Sequence, residues 1–162
     1  LAVTADEFKA GLARWGSGVT IVTARAGDEI HGMTVSAFSS VSLEPPLVLV
    51  CADKASNTNA LIEKGGCFAA NILASDQQDL SNRFASKKDE FRRFEGVAHG
   101  AGATGAPLLE GALAAVDCRV VATHDAGDHV IYVGEVEEVR LGDGEPLLHY
   151  RGRYRSMTAE ST

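Results

Sequence analysis

The sequence predicts a mainly β protein: an antiparallel sheet closed into a barrel, with short helices at its periphery. Two observations carry that expectation. At least six stretches carry the apolar runs or period-two alternation of strands, with only short helical stretches between them. The two longest of these follow one another across a single turn, as in a long β-hairpin. A sheet of that many strands, with few helices to cover its borders, lowers its edge cost by closing on itself.

The elements follow in order. Thr4-Ala5-Asp6-Glu7 reads as a capping box, and Phe8, Leu12 and Trp15 recur at near-helical spacing, so residues 5–14 form a helix with one apolar face. Gly16-Ser17-Gly18 ends it. Val19 to Thr23 and Ile30 to Val35 are strands on either side of a turn at Ala26-Gly27-Asp28. Phe38 to Leu43 is extended until Pro45-Pro46, and Leu47 to Cys51 is a short apolar strand covered on both faces. Asn57 to Lys64 is a short helix closed by Gly65-Gly66, Cys67 to Leu73 a strand, and Asp76 to Phe84 a helix that sets Leu80 and Phe84 four apart. In Ala115 to Thr123, Val116, Cys118, Val120 and Ala122 share one face. In His129 to Leu141, Ile131, Val133, Val139 and Leu141 share one parity, interrupted by Glu135 and Glu137. Asp125 to Asp128 turns between them, and Leu147 to Arg151 is a last strand.

The 162 residues amount to one domain, residues 1–162. Asp+Glu outnumber Lys+Arg by 22 to 15, a net charge of -7, which argues against grip on nucleic acid through bulk positive charge. The longest apolar run, Leu47 to Ala52, is far too short to span a bilayer, and no signal peptide is visible. No membrane partner is expected. Cys51, Cys67 and Cys118 are odd in number, widely spaced and embedded in apolar runs, which reads as reduced thiols in a cytoplasmic protein. The histidines lack an HxxxH spacing, so no metal site is expected.

Several motifs have both a chemical and a plain reading. Gly100-Ala101-Gly102-Ala103-Thr104-Gly105 matches GxGxxG, but Pro107 follows at once where a dinucleotide fingerprint needs a helix, so a flexible Gly/Ala loop is the better reading. Ser17 between two glycines lacks the strand and helix of a nucleophile elbow. From Gly32 to Leu43 small hydroxyl residues alternate with apolar ones. That describes either a strand with one wet face or a wall against which a flat polar ring lies. Ser56-Asn57-Thr58, with Lys54 before them, open a helix and suit either an anion or simple capping, the simpler of the two. Arg83-Phe84 and Lys87-Lys88 make a second basic spot that reads as a solvated face. Gly127-Asp128-His129 is a turn before a strong strand, with an imidazole at the barrel rim.

In order and spacing these segments resemble one family over nearly the whole chain, from about Phe8 to Tyr154. The pieces are Gly18 to Thr23, Ser36 to Leu47, Phe68 to Leu73, Ser81-Asn82-Arg83-Phe84, Gly127-Asp128-His129 and Tyr150 to Tyr154. The family is the flavin reductases with an FMN-binding split-barrel fold, the small reductase components of two-component flavin-dependent monooxygenases. The resemblance implies a homodimer with flavin, FMN or FAD, near the subunit interface, and NADH or NADPH as hydride donor. It implies that Thr34, Val35, Ser36, Ala37 and Phe38 line the isoalloxazine, with Ser40 and Val41 beside it. Ser56, Asn57 and Thr58, helped by Lys54, meet the ribityl chain and phosphate, and Arg83 and Phe84 close the phosphate or adenylate side. His129 lies near the nicotinamide as the catalytic-site histidine, and His149, Tyr150, Arg151, Gly152 and Tyr154 border the nicotinamide cofactor. Thr34 stands where some relatives carry Ala or Cys, which leaves FMN against FAD open, as NADH against NADPH is.

The function implied is hydride transfer from NADH or NADPH to flavin, with the reduced flavin passed to a larger oxygenase component that hydroxylates an aromatic or steroid ring. Two rivals share the fold: a flavin-retaining oxidase of the pyridoxamine-phosphate-oxidase type, which calls for a more basic phosphate pocket and gives the Gly-Asp-His turn no role, and a flavin-binding module without turnover.

Overall fold

The computed structural model describes residues 2–158. Its elements are α1 (Ala5–Leu12), β1 (Ser17–Gly18), β2 (Thr20–Ala26), β3 (Glu29–Val35), β4 (Phe38–Ser42), β5 (Leu47–Asp53), α2 (Asn57–Gly65), β6 (Cys67–Ile72), α3 (Gln78–Ala85), a 3-10 turn (Glu90–Arg92), β7 (His99–Ala101), β8 (Pro107–Leu109), β9 (Ala114–Ala126), β10 (His129–Leu141), β11 (Leu148–Tyr150) and β12 (Arg153–Arg155). Seven strands make one antiparallel sheet in the order β3-β2-β6-β9-β10-β5-β4. The border strands β3 and β4 are consecutive in sequence, joined only by Ser36 and Ala37. A two-residue link leaves the borders nowhere to go but together, so the sheet curls into the split barrel the sequence predicts.

The interior is filled by alternate residues. Val22, Ala24, Ala26, Val48, Val50, Ala52, Phe68, Cys118 and Tyr132 pack together, capped by Leu61 and Ile62 of α2. β2 is covered on both faces. Its even residues enter the barrel, while Ile21 packs outside with Leu73, Phe84, Leu109 and Leu147. Gly32 lets the Phe84 ring lie on the backbone of β3: a Cβ there would sit 2.9 Å from Phe84 Cε1.

Most expected elements form, with ends shifted by one to three residues. Three readings are corrected. First, β10 turns Val130, Tyr132 and Val136 to the core, not the Ile131 parity. Gly134 continues the same parity, since a Cβ there would sit 2.7 Å from Phe68 Cζ, and the register shifts of the hairpin place their extra residues at Val121 of β9 and Glu137 of β10. Second, Ser17-Gly18 is not a bare helix stop: it is β1, in a small sheet ordered β1-β11-β12. Third, the Gly100–Gly105 stretch is not a free loop. It joins β7 to β8 and wraps the buried Asp117 carboxylate, which accepts from Thr104 N at 2.8 Å and from Thr104 Oγ1 at 2.5 Å. The helix of residues 5–14 ends at Leu12, and its apolar face is not buried in this chain.

Candidate functional site

Part of the sequence-predicted set meets at the seam of the barrel. Two recesses open there. The larger, about 580 Å³, lies beside Ser36, Ala37 and Phe38. Leu49 and Cys51 of β5 form its floor, Phe8, Leu12 and Trp15 one wall, and His149 and Gly152 its far side. The second, about 360 Å³, is polar. It lies between Thr34 of β3, Ser56 and Asn57 at the start of α2, and Lys87, Glu90 and Arg93 after α3. Thr34 and Ser36 are two residues apart on an extended chain, roughly 7 Å, so the recesses adjoin across the seam.

Local structure fixes these groups. Cys51 N donates to Ala37 O at 3.1 Å, holding the link against β5. Thr34 Oγ1 donates to Ser81 O at 2.6 Å, tying β3 to α3. Ser56 caps α2, accepting from Asn59 N at 3.0 Å and donating to Asp53 O at 2.8 Å, so the capping reading holds. The turn from β11 to β12 uses Arg151 at φ 49° and Gly152 at φ 73°, the left-handed pair of a type I′ hairpin. It presents Tyr150 with the Arg151 guanidinium 5.4 Å and that of Arg155 5.8 Å from its ring centre.

Of the predicted residues, Ser36, Ala37, Phe38, His149 and Gly152 line the groove, and Thr34, Ser56, Asn57 and Phe84 the polar recess. Others do different work within one chain. Val35 is buried in the barrel core, and Ser40 and Val41 lie exposed on the border strand outside both recesses. Thr58 is fully buried, its Oγ1 2.6 Å from His31 Nδ1. Lys54 pairs with Asp125 of the β9–β10 hairpin. Arg83 donates to the carbonyls of Arg92 and Glu95 and lines a neighbouring recess. Tyr154 OH meets Ser81 Oγ at 2.7 Å and donates to Asn82 Oδ1 at 3.0 Å, locking β12 to α3. His129 lies outside both recesses, at the start of β10 and opposite Asp53, with Nδ1 2.7 Å from Asp128 Oδ1. That contact and the imidazole's charge hold the Asp128 carboxyl below its usual range.

Sequence reasoning missed the groove wall of α1 and the buried charges of the polar recess. Arg93 is only 6% exposed. It stands in a charged run, Lys87 to Arg93, that resembles any solvated face, and no sequence signal marks it as buried. Burial pushes its guanidinium and the His31 imidazole down; Arg93 lowers His31 further, while Glu90 opposes the shift. Burial raises the Cys51 thiol on the groove floor.

The flavin reductase like domain matches this chain over residues 12–158. The chain is 46% identical over 158 residues to an NADH-dependent flavin reductase of Rhodococcus sp, covering 96% of this chain and 88% of that protein. It is 41% identical over 153 residues to the reductase component of 4-hydroxyphenylacetate 3-monooxygenase of Thermus thermophilus, covering 94% and 96%. Among solved structures, the Streptomyces globisporus NADH:FAD oxidoreductase SgcE6, in complex with NAD and FAD fragments, superposes with a TM-score of 0.90 at 32% identity, covering 97% of this chain and 94% of that one. A barrel closed at a two-residue seam, with an apolar groove and a polar recess side by side, thus belongs to a member of the flavin reductase family.

Proposed function

We propose that the chain is an NAD(P)H:flavin oxidoreductase. It takes FMN or FAD and NADH or NADPH, and delivers reduced flavin to a larger oxygenase component. The observation that carries this reading is the pairing of recesses across Ser36–Ala37. A flavin is a flat heterocycle joined by a polar chain to a phosphate, and an apolar groove beside a hydroxyl- and amide-lined recess fits both halves. Bound flavin supplies the hydride acceptor, and the nicotinamide the donor.

The protein's part is placement. Ser36, Ala37 and Phe38 set the plane of the ring, Leu49 and Cys51 exclude water beneath it, and Thr34, Ser56 and Asn57 hold the polar tail. Fixing two reactants at contact distance contributes roughly 7–11 kcal/mol to such a step. His149, Gly152 and the Tyr150–Arg151 turn border the nicotinamide. His129 orients it and needs donate no proton, since a hydride carries its own electron pair. His129 lies outside both recesses of its own chain, so this role calls for a homodimer with flavin near the interface. The exposed Val139 and Leu141 of β10 and Leu43 beside β4 offer apolar contact for that pairing.

Steady-state oxidation of NADH and NADPH, each with FMN, FAD and riboflavin, tests the reading. Flavin-dependent oxidation of at least one nucleotide is expected, from protein that purifies with little colour. Tight yellow binding without nucleotide oxidation would make it a binding module. Oxygen uptake with an amine and no nucleotide would make it an oxidase.

A further inference from the structure

The segment after α3 crosses the polar recess and is pinned there by charged side chains. Arg93 Nη1 donates to Gly32 O at 2.8 Å and Nη2 to Ser86 O at 2.6 Å, while its buried Nε has no partner among the described residues. Glu90, in the 3-10 turn, accepts from Asn57 Nδ2 at 2.8 Å, and the same Oε1 lies 3.5 Å from His31 Nε2, a second buried nitrogen without a hydrogen bond among the described residues. The charged side chains lining the recess are Asp53, Lys87, Glu90 and Arg93, so their charges cancel. Asp53 is engaged locally, accepting from Ala55 N at 2.8 Å. Glu90 is different: it reaches across from another element and takes a donor at the start of α2, where an anion would sit.

We propose that Glu90 is an internal competitor for the flavin phosphate: its carboxylate and the phosphate contend for Asn57 and the positive field of Arg93 and Lys87. This inference rests on the flavin reading above. Removing Glu90 from the recess leaves it with one net positive charge and a free amide donor. Keeping it there opposes a second anion by like-charge repulsion. The device weakens flavin binding at the phosphate end alone, which suits a flavin that must leave after reduction.

The test is equilibrium titration of FMN and of riboflavin, which lacks the phosphate, against wild type, Glu90→Gln and Glu90→Ala, followed by flavin fluorescence at low salt. The Gln variant keeps a side chain of the same shape able to meet Asn57, and thermal unfolding reports whether each variant is folded. The expected result is FMN binding roughly tenfold tighter in Glu90→Ala, a smaller gain in Glu90→Gln, which loses the charge but still occupies Asn57, riboflavin affinity changed less than twofold in both, and an FMN gain that shrinks as salt is raised. FMN affinity that is unchanged or weaker, or an equal gain for riboflavin, overturns the competitor role while leaving the flavin reading intact. Wild-type protein that binds neither ligand overturns the flavin reading and this inference with it.

Discussion

A Cβ added at Gly102 would lie 2.5 Å from Asp117 Oδ2, so this glycine is required by a buried carboxylate and not by a ligand. Gly102→Ala therefore pushes against the group that Thr104 holds, and we expect a loss of about 1–3 kcal/mol, read from the urea midpoint. The glycine-rich pattern was legible; its partner, 15 residues further along at Asp117, was not, because nothing local ties them. His31 is the other residue whose environment has a measurable consequence. Burial, then Arg93, holds its folded pKa below the ordinary 6.5, against the pull of Glu90; Thr58 and Phe91 complete its surroundings. Between the folded and unfolded values the unfolded chain binds more protons, so this contribution to stability is whole above about pH 6.5 and is lost as pH falls through the folded value. The depressed carboxyls of Glu7, Glu95 and Asp128 act below their own ordinary values, 4.5, 4.5 and 3.8, outside that window. The denaturation midpoint should fall from pH 7 to pH 5, and fall less in His31→Gln.

At the scale of elements, α1 is instructive. Its capping box forms as the sequence predicts, Glu7 N donating to Thr4 Oγ1 at 3.2 Å and Thr4 N to Glu7 Oε2 at 2.9 Å. None of its residues is buried, and Phe8 and Leu12 join Trp15 along the groove. Periodicity announces an apolar face but not whether a chain, a copy or a ligand covers it. Trp15 is 79% exposed and is the protein's single tryptophan, so FMN entering the groove should quench its emission, and titration should saturate. Strand β5 gives a second check. Cys51 faces the groove half-buried, whereas Cys67 and Cys118 are buried and Cys118 is pushed up to about 12 by burial, with Asp117 and Glu137 adding to the shift. One thiol per native chain should react with an alkylating agent, slowly, and FMN should slow it further; reaction at all three with equal rates would contradict the groove. The misread parity of β10 has a simple physical origin. Val130, Ile131, Tyr132 and Val133 are all apolar, so alternation alone does not say which parity of this stretch faces the core.

At the scale of the whole molecule, the strand count and the barrel closure were legible because closure answers a general problem of sheet edges. The site was legible in pieces. Ser36, Ala37, Phe38, Ser56 and Asn57 come from neighbouring stretches that the barrel brings to one seam, while Glu90 and Arg93 arrive from a segment whose charges look like ordinary surface. Pairing of two copies is the remaining expectation at this scale. Leu141 is 83% and Val139 52% exposed, so Leu141→Glu combined with Val139→Glu should shift the molecule from dimer to monomer in sedimentation equilibrium and lower turnover with it, the barrel itself staying folded. The two-residue join between β3 and β4 has a mechanical corollary. A planar molecule resting on Ser36 and Ala37 touches the clasp that keeps the cylinder shut, so loading and fastening become one event. Amide exchange in β3 and β4 should then slow on saturation well beyond that of the far strand β6, and a chain lengthened by a few residues at the clasp should lose its cargo long before it loses its shape.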